Sequence, residues 1–167
     1  MRRQLNPEEL DELYRHVGRC IWHLQYLEDV LHTFLTMKIE IREPGRVSVE
    51  EANELLSKHR RANFGTALGT ASRHNALPLD LLEKLRSLKE ERDWLVHRSV
   101  HQNGDTLYTD EGRNAVFGRL GLLMQNTQHL KKLLMAEAEL LCAGHGLSLE
   151  QAEVLASAKI AWLKGDV

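Results

Sequence analysis

The sequence predicts an all-α protein, a four-helix up-and-down bundle with an additional short C-terminal helix. Apolar residues recur at alternating intervals of three and four along nearly every long segment, the periodicity of amphipathic helices. Helix-capping residues stand before these segments. No run of four or more residues alternates between apolar and polar side chains as a half-buried strand does. The 167 residues are expected to form one domain, residues 1–167, whose core needs no disulfide or metal.

The first predicted helix begins after the N-cap residue Asn6, with Pro7 at the first helical position and acidic residues in the first turn. It ends near Arg42, in the segment REPGR. Its apolar seam consists of Leu10, Leu13, Val17, Cys20, Leu24, Leu27, Leu31 and Phe34.

The second predicted helix opens at Ser48 and Glu51, which form a capping box, and runs to about Asn75. It includes the segment FGTALGTA, residues 64–71, with two glycines four positions apart. A phosphate-binding loop would need a preceding strand and a Gly-Lys-Ser/Thr ending, and both are missing here. We interpret these small residues as a face that lets another helix approach closely.

The third predicted helix has Pro78 in its first turn, and the polar segment HQNGDTLYTD, residues 101–110, is a loop after it. A core-facing helix of this kind needs an apolar residue every three or four positions. The sequence supplies them at Leu81, Leu85, Leu88 and Leu95.

The fourth predicted helix is capped by Thr109 or Asp110 and ends at the segment CAGHG, residues 142–146. Ser148 and Gln151 start a short fifth helix. The seam of the fourth helix consists of Val116, Leu120, Leu123, Thr127, Leu130 and Leu134.

The composition restricts the possible partners and the compartment. A formal net charge of -2 gives no global positive field, so a nucleic-acid substrate would need a local basic patch, or two copies of one. Cys20 and Cys142 fit neither a disulfide framework nor a zinc site, which favours the reducing cytoplasm. The N-terminus has no apolar core typical of a signal peptide, and no run of about 18 apolar residues predicts a membrane span.

The segment ERDWLVHRS, residues 91–99, breaks the pattern of the third helix because Arg92 occupies a position of the apolar seam. Burying an unpaired guanidinium costs several kcal/mol, so Arg92 needs an anionic partner or an opening. The structural interpretation is an ion pair with Glu28 or Asp93. The functional interpretation is a site at the opening, and the spacing leaves both open.

His97 follows Arg92 by five residues, about 140° around an α-helix that turns 100° per residue. One isolated helix is therefore not expected to direct both side chains at one small target. Two copies of the helix facing each other across a two-fold axis would bring two arginines and two histidines into one cleft.

A metal site is a further alternative for the same segment. Asp93, His97 and His101 are spaced by four, as are Glu28 and His32 on the first helix. The Glu-x-x-His pairs of carboxylate-bridged sites are absent, however, and we expect His101 to lie beyond the helix end. No metal or cofactor is therefore predicted.

The residues R-D-W-L-V-H at positions 92–97 match the R-x4-H motif of the HEPN superfamily (higher eukaryotes and prokaryotes nucleotide-binding domain). Many members have a polar residue directly after the arginine, and here it is Asp93. The chain resembles this family also in its predicted bundle, with the motif near the end of the third main helix. The resemblance covers most of the chain in architecture and six residues in motif.

The resemblance implies a metal-independent endoribonuclease that leaves 2′,3′-cyclic phosphate ends, with its active site shared by a homodimer. Many such proteins are toxins or antiviral effectors paired with a nucleotidyltransferase antitoxin. In one branch a tyrosine two residues after the histidine is modified by the antitoxin, and Ser99 stands there in this chain. Two alternatives remain: a catalytically silent HEPN-like module that binds a nucleotide, RNA or a protein, and a helical adaptor in which Arg92 is only an ion pair.

Under the implied activity, Arg92, His97 and Asp93 are the catalytic candidates. Histidine titrates near neutral pH and can exchange protons with the 2′-hydroxyl or the 5′-oxygen of RNA. The arginine fork suits the phosphate oxygens as charge builds on them, and Asp93 can orient either residue. The expected substrate-binding residues are Arg98, Ser99 and His101, with Arg60, Arg61 and Arg73 as possible extensions of the positive surface.

Overall fold

The computed structural model describes residues 2–165, apart from the side chains at positions 149, 151, 152 and 155. The elements are α1 (Pro7–Leu35), the π-helix π1 (Thr36–Ile41), α2 (Val49–Arg60), α3 (Phe64–Arg73), α4 (Leu79–Asp93), the π-helix π2 (Trp94–Arg98), α5 (Ser99–Asn103), a 3₁₀ turn (Thr106–Tyr108), α6 (Asp110–Gly144) and α7 (Leu149–Lys164). Residues 2–165 contain no strand, and the predicted all-α fold is confirmed.

Helix α1 begins where the sequence predicts. The Asn6 side chain accepts a hydrogen bond from the Glu9 amide at 2.8 Å, and the Glu9 carboxylate accepts one from the Asn6 amide at 2.9 Å. This reciprocal pair satisfies two amides that the first helical turn leaves without partners. The helical path continues through π1 to Ile41, and Arg42 leaves it with φ 64°, close to the predicted end.

The prediction of one helix from Ser48 to about Asn75 is wrong. Ser48 does cap α2, accepting a hydrogen bond from the Glu51 amide at 3.1 Å, but α2 ends at Arg60. Asn63 has extended backbone angles, and its side chain accepts a hydrogen bond from the Thr66 amide at 2.9 Å, which starts α3. An asparagine that caps a new helix competes with continuation of the preceding helix. The helical conformation is therefore interrupted at residues 61–63.

Helix α6 buries the predicted seam, from Val116 to Leu134, completely. Its N-cap is Thr109, whose hydroxyl accepts a hydrogen bond from the Gly112 amide at 3.1 Å. Gly112 is required there because a Cβ would stand 2.0 Å from the carbonyl oxygen of Thr106. The predicted C-terminal helix is present as α7, and the side chain of its expected start residue Gln151 lies outside the described part.

Helices α1 and α6 run in the same direction along their shared interface. The ring of His16 contacts that of Phe117 edge to face, with centroids 5.3 Å apart, and further along both helices Lys131 lies 5.8 Å from the centre of the Tyr26 ring. Leucines of α1 and α6 form the centre of the core together with Phe34, Phe64 and Trp94. Among the described helices, none combines the length and apolarity that a bilayer crossing requires.

Candidate functional site

The segment after α4 is a π-helical turn built around Trp94. This side chain is 1% exposed, its indole N–H donates to the Asn103 side chain at 3.1 Å, and the Arg119 guanidinium lies 3.7 Å from its ring centre. Leu95, the next residue, is buried too. Consecutive residues of an α-helix are 100° apart. We infer that the wider turn helps both of them to reach the core.

The π-helical turn changes the angular relation between Arg92 and His97. At its end the Ser99 amide donates to the carbonyl of Trp94, five residues earlier, instead of four. Residues five apart consequently lie closer to one face than in an α-helix. Arg92 and His97 line one depression of a single chain, although α-helical spacing alone would separate them by about 140°.

This depression, which we call the Arg92 pocket, has a volume of about 360 Å³. It lies between the last turn of α4, His97 of π2 and the first turn of α3. The structure thus brings together all three predicted catalytic residues. The lining residues are Asn63, Phe64, Gly65, Lys89, Arg92, Asp93 and His97.

Arg92 forms both ion pairs that the structural interpretation of the sequence named. Its Nε lies 3.3 Å from Glu28 Oε1 on α1, and its NH1 lies 3.3 Å from Asp93 Oδ1. The Arg92 side chain is 27% exposed, so it is held at the rim of the core and still faces the pocket. Arginine has five N–H donors, and these two contacts leave some of them available.

Asp93 is held by two cations. Its Oδ2 accepts a hydrogen bond from Lys89 Nζ at 2.5 Å, and its other oxygen faces Arg92. The Lys89 ammonium, with Arg92 adding to its effect, keeps the pKa of the Asp93 carboxyl below its ordinary value. Asp93 is therefore placed to orient Arg92, the first of the two positioning roles expected of it.

Glu28 is the opposite case within the same ion-pair network. Burial raises the pKa of the Glu28 carboxyl above its ordinary value, and Arg92 reduces that increase by favouring the ionised form. Two acidic groups around one guanidinium thus have pKa values displaced in opposite directions. Glu28 anchors Arg92 from the core side, whereas Asp93 reaches it from the pocket.

The three expected substrate-binding residues lie outside the Arg92 pocket of the single chain. Arg98 turns back along α4, where its NH2 donates to the Glu90 carbonyl at 3.1 Å. The Ser99 hydroxyl donates to the Leu95 carbonyl at 2.8 Å. His101 is exposed on α5, so the expectation that it lies beyond the helix end is wrong.

The other basic residues considered from sequence have their own contacts elsewhere. Arg60 forms a two-point ion pair with Asp29, at 2.6 and 3.0 Å, and Arg73 donates to the Thr70 hydroxyl at 3.2 Å. Arg61 lines a separate surface depression on α2. None of the three lines the Arg92 pocket.

Sequence reasoning missed Lys89 and Asn63, and it assigned Gly65 only to a small-residue packing face. Lys89 had a recognisable signal, since it precedes Arg92 by one helical turn and Asp93 by four residues. Asn63 had a signal too, as a capping residue three positions before Thr66. What the sequence did not show is that α3 starts against α4 at this point. The described residues contain no group of three or more His, Cys, Asp or Glu side chains that could hold a metal ion.

Comparisons of the chain with models of protein families, with curated proteins and with solved structures gave no match. The chain is therefore not assigned to a family. The functional argument depends on the side chains of the Arg92 pocket and on their chemistry.

Proposed function

We propose that this chain is a HEPN-like, metal-independent endoribonuclease that acts in the cytoplasm as a homodimer. The observation that carries the proposal is the position of Arg92, Asp93 and His97 in one pocket at a π-helical turn. π-helical turns inside helices are frequent at functional sites, because they redirect side chains at a cost in helix geometry. Cys20 and Cys142 are both free thiols, in keeping with a reducing compartment.

The proposed reaction uses the nucleophile that RNA carries. The 2′-oxygen attacks the adjacent phosphorus, the bond to the 5′-oxygen breaks, and a 2′,3′-cyclic phosphate and a 5′-hydroxyl are formed. His97 accepts the 2′-hydroxyl proton or supplies the proton that the leaving 5′-oxygen takes up. Arg92 donates N–H groups to the non-bridging oxygens as their charge increases, and Asp93 orients the guanidinium.

A second copy of the chain would supply the other proton-transfer group. Val96 and Val100, on either side of His97 along the helix, are 47% and 84% exposed. Exposed valines next to a proposed site are suited to contact with another apolar surface. Two-fold packing of this face would place two copies of His97 beside one cleft, so that one acts as base while the other acts as acid.

Neutralisation by a nucleotidyltransferase-like antitoxin belongs to the same proposal. The hydroxyl at the position of the modifiable tyrosine is that of Ser99, which already donates to the Leu95 carbonyl. An antitoxin would therefore act on this protein by covering the pocket. Co-purification of such a partner with the wild-type chain is the expected sign of this interaction.

The second candidate function is a catalytically silent module that binds a nucleotide, RNA or a protein. The observation that favours it is the pairing of Arg92 with Glu28 and Asp93, because both contacts also have a purely structural explanation. A silent module keeps the fold and the pocket without turnover.

The experiment is incubation of the purified protein with mixed RNAs in the presence of EDTA. Wild type is expected to cut RNA, to leave DNA intact and to produce cyclic phosphate ends, whereas His97→Ala loses about 10²-fold in rate or more. His129→Ala, at an exposed histidine on α6, is the matched control. A folded, dimeric wild type that cuts no RNA in a broad panel indicates the silent module, and activity that returns only with a divalent ion rules out the metal-free mechanism.

A further inference from the structure

Lys89 is a charged residue of the Arg92 pocket that has no role in the proposed reaction. It lies on α4 one turn before Arg92, and its side chain is 33% exposed. Its Nζ contacts Asp93 Oδ2 at 2.5 Å. A lysine ammonium has three donors, and this contact uses one of them, so two remain for a ligand in the pocket.

The first turn of α3 forms the wall opposite Lys89. The Asn63 side chain satisfies the Thr66 amide, while the amides of Phe64 and Gly65 belong to the turn that has no intrahelical acceptors. Asn63, Phe64 and Gly65 all line the pocket. Peptide N–H groups at the start of a helix attract anions, as the Lys89 ammonium does, so both walls of the pocket favour an anionic ligand.

Gly65 allows α3 and Lys89 to meet. A Cβ at position 65 would stand 2.9 Å from Lys89 Cε and 3.4 Å from the side-chain oxygen of Asn63. Any larger residue would have to displace the lysine side chain, because a real Cβ is almost never that close to another atom. The Lys89 side chain therefore lies against the first turn of α3 where both line the pocket.

We propose that Lys89 and the first turn of α3 form a second phosphate-binding subsite, which holds the phosphate next to the reacting one. The inference rests on the proposed function, because Arg92 and His97 are taken to hold the reacting phosphate. Lys89 and Arg92 are one helical turn apart, so their side chains are neighbours on the surface of α4. Asp93 contacts both cations and keeps the two subsites adjacent.

The subsite makes an RNA with at least two consecutive phosphates the preferred substrate. A contact to a phosphate that does not react is made equally in the ground state and in the transition state. Its loss therefore raises KM and leaves kcat nearly unchanged. The loss of Arg92 or His97, in contrast, lowers kcat.

The binding test uses a fluorescent single-stranded 2′-O-methyl oligoribonucleotide, which has no free 2′-hydroxyl to react, and measures its anisotropy at several salt concentrations. Lys89→Met is expected to weaken binding about tenfold, as for a lost charge-assisted contact. It should also reduce the slope of log affinity against log salt by about 0.7, the value for one phosphate contact to a single strand. Gly65→Ala, which keeps every charge, should shift both quantities in the same direction by crowding Lys89.

Lys84→Met is the matched control. Lys84 lies on the same helix and pairs with Asp80 at 3.4 Å across the same four-residue spacing, but it lines a different depression. It is expected to keep the affinity of the wild type and most of its salt slope, and circular dichroism checks that each variant is folded. Affinity and salt slope of the wild type in Lys89→Met overturn the proposal, as does an equal loss in Lys84→Met.

The kinetic test separates this inference from the proposed function. If wild type cuts RNA and Lys89→Met shows a KM about tenfold higher with kcat retained, both are supported. If wild type cuts RNA and Lys89→Met is kinetically normal, the subsite is wrong and the nuclease stands. If wild type cuts nothing but binds the oligonucleotide in a Lys89-dependent way, the nuclease is wrong and the phosphate subsite stands.

Discussion

The two π-helical segments of the chain look alike locally and differ in where they occur. π1 (Thr36–Ile41) and π2 (Trp94–Arg98) both follow a helix without a side-chain cap, since Leu35 and Asp93 before them keep right-handed helical angles. After π1 the chain leaves the helix at Arg42, whose φ is 64°. After π2 it continues through Ser99 into α5.

This difference in position corresponds to a difference in what the two segments do. π1 buries Thr36, whose hydroxyl donates to the His32 carbonyl at 2.8 Å, and it ends α1. π2 lies within a continuing helical path, buries Trp94 and directs Arg92 and His97 into one pocket. A π-helical turn at a helix end can be simple unwinding. A π-helical turn between two helices has to be maintained by packing. In π2 the buried Trp94 side chain provides that packing.

The largest expected effect is at Trp94. Trp94→Ala removes a side chain that is 1% exposed and that donates a hydrogen bond to Asn103, so it should lower the free energy of unfolding by about 3–5 kcal/mol. Ile39→Ala, at a half-buried position of π1, should cost clearly less. Urea denaturation of both variants measures the contrast, and equal losses would show that Trp94 does not have this special role.

The next effect concerns the anchor of Arg92. Arg92→Leu leaves Glu28 buried without its cation and should destabilise the fold by about 1–2 kcal/mol, less than a fully buried pair because both side chains retain some exposure. Adding Glu28→Leu should recover most of that loss, since an apolar pair can replace an ion pair of similar volume. RNA cleavage should stay absent in the double variant. Recovered cleavage would make Arg92 an ion-pair residue only.

The pH dependence of stability should show opposite contributions from Glu28 and Asp93. The folded-state pKa of Asp93 is lowered, so its contribution is present above its unfolded pKa and is lost as the pH falls towards the folded value. The folded-state pKa of Glu28 is raised, so stability decreases as the pH rises from its unfolded pKa through the folded value. Melting temperatures measured from about pH 2 to about pH 8 test these two opposite pH dependences. Asp93→Asn should reduce the loss of stability at acid pH, and Glu28→Gln should remove the loss of stability as the pH rises. A change of the same sign in both variants would contradict the opposite roles of the two carboxyl groups.

The smallest effect is expected at π1. Thr36→Val removes one hydroxyl that donates to a carbonyl already within the helix, so the loss should stay below about 1 kcal/mol. RNA cleavage and oligonucleotide affinity should equal those of the wild type. A large loss of activity in this variant would mean that π1 is coupled to the Arg92 pocket, and the contrast between the two π-helical segments would fail.

The sequence predicts the helix starts well because capping is a local interaction. Asn6, Ser48 and Thr109 each accept a hydrogen bond from the amide three residues ahead, as their residue types and spacing indicate. The interruption before Asn63 also results from local capping, because the Asn63 side chain caps α3. It was not predicted because the apolar periodicity continues on both sides of it. Periodicity describes a face, and it does not say whether the helix carrying that face is continuous.

The geometry of the site was less accessible from the sequence because it depends on tertiary packing. Both partners suggested for Arg92 from sequence, Glu28 and Asp93, are found in contact with it. The π-helical turn was not predicted, because it depends on Trp94 and Leu95 entering the core together. Lys89 was overlooked since a lysine on a polar helix face is ordinary until another helix start is placed beside it.

We propose that π2 lets Arg92 and His97 act on one phosphate in one pocket, and NMR of the histidine ring protons can detect this shared ligand. Titration with a 2′-O-methyl dinucleotide should shift the His97 resonance in wild type, and Arg92→Ala should abolish most of that shift at the same concentration. His129 on α6 should not respond, as an exposed histidine outside the pocket. A His97 resonance that does not shift with the dinucleotide, or that shifts equally in Arg92→Ala, would show that the two side chains do not share a ligand.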